Sequence, residues 1–254
     1  MNVFTCEDNL ESKLTCIYTA WEKAIKVGHS NVRLEVEPIY MSNLFDEYTH
    51  VEADNIKAQK VSNSINSKIS PDVYISVYYA LLSNEDDALD SAYRFLINAF
   101  KVGNNAIFAI NTPENMRMME LRRRVGNEIH SFVEFLRFHS INNQVYIGHI
   151  EPKADVIELV GRHFDDRMPS ENWMIIDDNR RYAVVHPKDG DNYIKQLSSE
   201  EFERLRQTEG IDDVYTEMWR AFFDAIAIKE RANRRCQMNH IPLWMRKHAV
   251  EFQG

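Results

Sequence analysis

Apolar residues in the first hundred positions recur mainly every three or four residues, which predicts helices. The first such segment begins after Asp8 or Asn9, either of which can cap it. A second covers 54–68 and begins with Asp54 as its cap. A short alternating run at 32–36 is typical of a strand instead. Further helices are predicted over 71–82 and 86–102.

Helical and alternating patterns are interleaved after residue 104. Pro113 can open a long helix, and the alternating run 144–150 is expected to pair with 135–140 through a turn at 142–143. A second hairpin is predicted from 173–176 and 182–185. Further helices are predicted over 153–168, 199–207 and 212–228. The predicted fold class is therefore α+β: a helical N-terminal half, then a mixed C-terminal half with a small antiparallel sheet flanked by helices.

The pattern contains no repeat and no low-complexity linker, so we expect residues 1–254 to form a single domain. A soft division near 104–113 separates a mainly helical part, 1–103, from an α+β part, 113–254, that ends in a basic tail.

Composition narrows the functional classes. The formal net charge is −9, so nucleic acid would have to meet a local basic patch. With 8 glycines and no phosphate-binding glycine motif, a nucleotide-binding loop is disfavoured. Three scattered cysteines suit a reducing compartment and cannot supply an iron–sulfur cluster motif. No apolar run approaches bilayer length and no signal peptide is evident, so we expect a cytoplasmic protein without membrane contact or cofactor.

The long helix carries the most concentrated set of charged residues. Its apolar stripe includes Val125 and Phe132, and His130 and Arg137 fall on the opposite face at 100° per residue. Glu128 lies on the flank, four residues after Arg124. One interpretation is a solvated face with ordinary ion pairs. The other places Arg137 as a phosphate or carboxylate clamp and His130 as a proton donor or acceptor.

Two other clusters combine histidine with charged residues. His149 and Glu151 are two residues apart, so in a strand they would share a face. His163 and Arg167 share a helical face. Because no tight metal-ligand spacing accompanies them, we expect no metal site.

The C-terminal tail is basic over 229–248. This segment contains six lysines and arginines, among them Arg231 and Arg234, but only one acidic residue. Trp244 lies between the basic residues in the sequence. Cations beside an aromatic suit phosphate contact with base stacking. A charged helix end docked on the acidic remainder explains the same residues.

These segments together resemble a family of bacterial DNA metabolism proteins built on a domain of unknown function. The matching residues are Arg124-Val125, Glu128, His130, Phe135 to Phe138, Ile150 to Pro152, His163-Phe164, Arg167, Trp173 to Ile175, Asp177, Arg180 or Arg181, Trp219 to Phe223, Ala227 to Arg231, Asn233, Pro242 and Trp244, with Asp54, Lys57-Ala58 and Lys60-Val61 in the first half.

The resemblance implies a genomic association with radical-SAM proteins or uracil-DNA-glycosylase-like domains, to which members are adjacent or fused. No catalytic residues come with it. The chain departs from the family at Glu134, where members usually have glycine before Phe-Leu-Arg-Phe.

Three hypotheses follow. The first is an accessory protein of DNA repair or modification that binds single-stranded or damaged DNA, or a radical-SAM or glycosylase partner. Its phosphate contacts would be Arg124, Arg137, Arg167, Arg231 and Arg234, with Trp173 or Trp244 stacking on a base. The second is an enzyme acting on a nucleobase or nucleotide, in which the catalytic groups Glu128, His130 and His163 converge with Arg137 in one pocket. The third is a protein-binding partner without DNA contact.

Overall fold

The computed structural model describes residues 1–40, 42–109, 112–141, 144–208, 214–226 and 233–252. The chain divides into two compact units, Met1–Gly126 and Asn127–Gly254. Their boundary lies after the soft division predicted near 104–113, and the single-domain assignment stays a prediction. No helix of the described ranges is both long and apolar enough to cross a membrane.

Side chains cap the N-termini of most helices of the first unit. They are α1 (Leu10–Val27), α2 (Asn55–Lys68), α3 (Pro71–Leu81), α4 (Ala88–Val102) and α5 (Pro113–Phe135), the last of which runs into the second unit. The Asn9 side chain accepts from the backbone N–H of Ser12, and Asp54 accepts from those of Ile56 and Lys57. These bonds satisfy N–H groups that the first helical turn leaves unpaired.

The first unit also contains a three-stranded parallel sheet. Its strands are β1 (Asn2–Cys6), β2 (Val32–Val36) and β3 (Glu47–His50), in the order β2-β1-β3. Only β2 was predicted. The central strand β1 is buried over its last four residues and contributes Phe4 and Cys6 to a core shared with α1 to α5.

The second unit is built on a five-stranded sheet. Its strands are β4 (Phe138–Ile141), β5 (Val145–Ile150), β6 (Trp173–Asp177), β7 (Tyr182–His186) and β8 (Tyr193–Gln196), in sequence order across the sheet. The two predicted hairpins are present as β4–β5 and β6–β7. The turn expected at 142–143 lies outside the described residues.

One detail of the predicted sheet is wrong. It is mixed instead of antiparallel, because β5 and β6 pair in parallel. The helix α6 (Ile157–Arg167) connects these two strands, and parallel neighbours need such a crossover.

Helices cover both faces of this sheet. On one face Gly161 of α6 lies so close to β7 that a Cβ there would meet Val184 at 3.0 Å. On the other, Phe202 of α7 (Ser199–Arg206) packs in a cluster with Ile147 and Ile176. The remaining helices are α8 (Val214–Ile226) and α9 (Arg234–His240). The helical N-terminal half and the α+β C-terminal half are therefore confirmed.

Candidate histidine–carboxylate site

The parallel pair β5–β6 brings two carboxylates together. In its register Ile150 lies opposite Asp177, so both strands end at the same edge of the sheet. Glu151 follows β5 directly, and Asp178 follows β6. Ligands of sheets with parallel strands are commonly bound just beyond the carboxyl ends of such strands. A functional site is therefore expected at this edge of the sheet.

A buried histidine is anchored at this edge. His149 is 3% exposed, and its Nδ1 lies 2.8 Å from Oδ1 of Asp178. Because a carboxylate only accepts hydrogen bonds, this contact assigns a proton to Nδ1. Nε2 is itself buried and has no hydrogen-bond partner among the described residues. A buried polar atom in that state calls for an explanation.

Two other imidazole rings stack on that of His149. The rings of His139 and His149 are nearly parallel, 10° apart with centroids 6.0 Å apart. The ring of His248 also stacks on that of His149, with centroids 6.1 Å apart and planes at 20°. His248 comes from the short C-terminal 3-10 helix Leu243–His248, which brings the basic tail to the sheet edge.

Two residues of the basic tail, Lys247 and His248, lie beside Glu151. Nε2 of His248 lies 3.7 Å from Glu151 Oε1, and the ammonium of Lys247 contacts the same carboxylate. The site thus combines the Glu151 and Asp178 carboxylates with an imidazole whose ring nitrogen approaches one of them.

A small cavity opens beside these groups. It is lined by the polar residues His149, Glu151 and His248 and by six apolar residues: Phe132, Phe135, Leu136, Ile150, Trp244 and Met245. The volume of this cavity is about 10 Å³. That is about enough for a single water, and a nucleobase does not fit. In this conformation the cavity suits a water or an ion.

A buried ion pair fixes the loop that carries Glu151. Asp177 is fully buried, and Arg180 pairs with it at 3.0 Å. Arg180 also donates to the carbonyls of Pro152 and Lys153. Burial raises the pKa of Asp177, and the charge of Arg180 and its hydrogen bonds offset part of that rise. The pair ties the turn after β6 to the loop after β5.

Glu128 also holds the loop after β5, through hydrogen bonds to its backbone. Its Oε1 accepts from the backbone N–H of Lys153 at 2.5 Å and of Ala154 at 3.4 Å. Burial raises the pKa of Glu128, while these two N–H groups lower it in part. Both hydrogen bonds engage the one oxygen, so the contacts of Glu128 are those of a residue that positions the loop.

The residues expected to be catalytic each contact different partners among the described residues. His130 is exposed and lies 3.0 Å from Glu134, one helical turn away. His163 is exposed on α6, with its ring edge-on to that of Phe164. Neither they nor Glu128 line the cavity beside His149.

Two of the arginines expected to bind phosphate are occupied by carboxylates. Arg124, in the first unit, pairs with Glu85 at 2.5 Å and with Glu120 at 2.6 Å. Arg137 lies beyond the end of α5 instead of on its face, and it pairs with Glu251 at 2.6 Å. Its guanidinium also lies over the ring of Trp219 at 4.9 Å. As found, both guanidinium groups already have anionic partners.

The remaining nucleic-acid candidates divide by exposure. Arg167 and Arg234 are exposed and have no acceptor within the described ranges, whereas Arg231 lies outside those ranges. Trp173 is 1% exposed and stacks on His186 at 4.9 Å and 1°, so its ring is closed to a base. Trp244 is partly exposed and has Lys153 over its ring at 5.1 Å.

Two of the four residues of the site, His149 and Glu151, could be predicted from the sequence. The two-residue spacing of His149 and Glu151 placed them on one strand face, but nothing local indicated Asp178 or His248. The parallel β5–β6 pairing would have been the signal for Asp178, since it makes the first residue after each strand a neighbour of the other.

The chain matches a known family model. A family model described as a domain of unknown function, DUF4130, covers residues 86–251, about two thirds of the chain. No curated protein matches the chain.

Proposed function

We propose that this chain, which belongs to the DUF4130 family, is an accessory protein of DNA metabolism that binds single-stranded or damaged DNA through a local set of arginines. The observation that carries the proposal is the state of Arg167 and Arg234. Both guanidinium groups are exposed, and neither has an acceptor in the described part of the chain. The resemblance to DNA metabolism proteins supplies the choice of partner.

Arginine suits this task because its planar group binds phosphate oxygens in pairs. The net charge of −9 makes attraction of the whole molecule to a polyanion unfavourable, so binding must depend on local contacts. We therefore propose that Arg167, Arg231 and Arg234 contact the phosphates. Trp244 would stack on a base, because it is partly exposed whereas Trp173 is buried. The three cysteines are free thiols, which suits the cytoplasmic location that we propose.

The test is fluorescence anisotropy with a single-stranded oligonucleotide at several salt concentrations. For single strands, each phosphate contact contributes about 0.7 to the slope of log K against log salt, so the double variant Arg167→Gln, Arg234→Gln should lower the slope by about 1.4. The matched control is Lys26→Gln, Lys101→Gln, which removes two exposed positive charges from the first unit. It should leave the slope nearly unchanged.

Two results would contradict the proposal. One is the absence of binding by the wild-type chain at low salt. The other is an equal loss in both double variants, since only the total charge would then matter. Duplex and uracil-containing oligonucleotides in the same series would show whether strand state or damage is recognised.

A second candidate function is docking on a protein partner, and α8 favours it. Met218, Phe222 and Ile226 follow one another at four-residue steps and are each more than half exposed. Such a stripe on one helical face is typical of a surface that meets another protein. The family resemblance points to a radical-SAM or uracil-DNA-glycosylase-like protein as that partner.

Co-elution with each purified candidate partner tests this function. Phe222→Ser with Ile226→Ser should abolish co-elution, and Ile25→Ser, which changes an exposed apolar residue of the first unit, should not. Unchanged co-elution of the α8 variant would exclude this face as the docking surface.

A further inference from the structure

His149, whose Nε2 has no hydrogen-bond partner in the described part of the chain, lies at the same edge of the sheet as Glu151, Asp178 and His248. One ligand atom from each of these three residues lies within 4.8 Å of the others, and each side chain is partly buried. The DNA-binding proposal uses none of the four residues.

We propose that this edge is a binding site for a divalent transition-metal ion, held by Glu151, Asp178 and His248. Two carboxylates with one imidazole are a donor set that suits zinc or manganese, since imidazole is a poor ligand for magnesium or calcium. Bound at about 2.0–2.2 Å, the ion would leave a position for water.

The spacing of the ligand atoms is close to what an ion needs. Atoms bound tetrahedrally at about 2.1 Å are about 3.4 Å from one another. Nε2 of His248 and Oε1 of Glu151 are 3.7 Å apart, so this pair needs almost no adjustment. Movement of the third ligand, Asp178, is limited by its hydrogen bond to His149.

His149 supplies the independent reason to place an ion here. Its Nδ1–H donates to Asp178, which is the way a buried histidine orients a ligating carboxylate. Its Nε2 is buried without a hydrogen-bond partner among the described residues. A water bound to the ion in the adjoining cavity would provide that partner, and the cavity is about the size of one water.

Lys247 is the local competitor. Its ammonium contacts Glu151 and so takes the place of a cation against one of the three ligands. Because half of its side chain is exposed, it can move into solvent when an ion binds. Binding of a divalent ion would therefore displace the ammonium of Lys247 from Glu151.

The experiment uses the full chain carrying Cys236→Ser, which removes the exposed thiol that could bind metal elsewhere. After treatment with a chelator, Zn²⁺ is titrated in competition with a chromophoric chelator, and Co²⁺ is added separately to record its absorption spectrum. We expect one equivalent of metal, and a loss of affinity of about 10-fold or more in both Glu151→Gln and His248→Gln. Zn²⁺ should raise the melting temperature of the parent chain but not of Glu151→Gln.

The control is His130→Gln, which removes a histidine that also lies 3.0 Å from a glutamate but is exposed and, among the described residues, belongs to no group of three potential ligands. It should bind Zn²⁺ as the parent chain does. Circular dichroism verifies that each variant is folded, and Glu151→Gln alone suffices if His248→Gln does not fold. The proposal is overturned if the parent chain binds no stoichiometric metal, if Glu151→Gln retains full affinity, or if His130→Gln loses it.

Discussion

Adding one methyl group at Gly148 should destabilise the second unit, and the structure gives the size of the effect. Gly148 lies in β5 directly opposite Phe138 of β4. A Cβ there would lie 2.9 Å from Cδ1 and 3.3 Å from Cγ of Leu136, and 3.3 Å from Cδ1 of Phe138. Carbon atoms pack best at about 3.5–4.0 Å, so all three contacts are too short.

Overpacking of this kind costs about 1–3 kcal/mol. Replacing glycine by alanine also restricts the unfolded chain, which offsets about 0.4–1 kcal/mol. Taking the middle of both ranges, we expect Gly148→Ala to lower the free energy of unfolding by about 1.3 kcal/mol. Rotation of Leu136 cannot remove the whole cost, because its Cγ is also too close and the side chain is buried.

Urea unfolding followed by circular dichroism measures the change, with Gly126→Ala as the matched control. Gly126 is in the interior of α5, and a Cβ there would meet only Tyr79, at an ordinary 3.8 Å. The same methyl group should therefore stabilise by up to about 1 kcal/mol through helix propensity. Opposite signs for the two variants support the steric argument. If Gly148→Ala is as stable as the wild type, or if both variants move in the same direction, the reasoning is refuted.

Three further predictions concern the site and its supports. In Glu128→Gln the amide oxygen can keep both backbone hydrogen bonds. Because burial raises the folded-state pKa of Glu128 above the ordinary 4.5, the contribution of Glu128 to stability falls as pH rises from about that value. The stability of the variant relative to wild type should therefore increase over the same range in urea titrations. A flat difference between the two proteins would contradict this. Trp173→Ala should lose about 3–5 kcal/mol of unfolding free energy because it removes a buried indole stacked on His186, whereas a loss below about 1 kcal/mol would show that the ring is not part of the core. Lys247→Met removes the ammonium that competes at Glu151 and should tighten Zn²⁺ binding in the chelator assay; weaker binding would assign Lys247 a supporting role instead.

Local features of the fold were predictable because their causes are local. Asn9 and Asp54 cap their helices as expected, and the hairpins follow from alternation on both sides of a turn. The strand β3 was missed because Glu47–His50 is short and mostly exposed, so no apolar alternation marks it. The parallel β5–β6 pairing depends on where α6 returns the chain, which no short window of sequence specifies.

The candidate site shows the same division. His149 and Glu151 could be grouped from their spacing in one strand, but Asp178 and His248 approach them from distant parts of the chain. The charged face of α5 carries the most concentrated pattern in the sequence, yet its residues are used for other contacts. His130 pairs within the helix, and Glu128 holds the loop after β5. Spacing along one helix predicts which residues share a face, but not what the rest of the chain places against it.

The position of the parallel strand pair has a consequence for how the second unit folds. The hairpins β4–β5 and β6–β7 connect neighbours in sequence, whereas β5 and β6 meet only after the chain has passed through α6. Closing the longer connection costs more conformational entropy, so we expect the hairpins to form first. Pulsed hydrogen exchange during refolding should then protect amides between β6 and β7 before those between β5 and β6. Because His149 belongs to one hairpin and Asp178 follows a strand of the other, their hydrogen bond would form only when the two join, and Zn²⁺ uptake would mark the last step of folding.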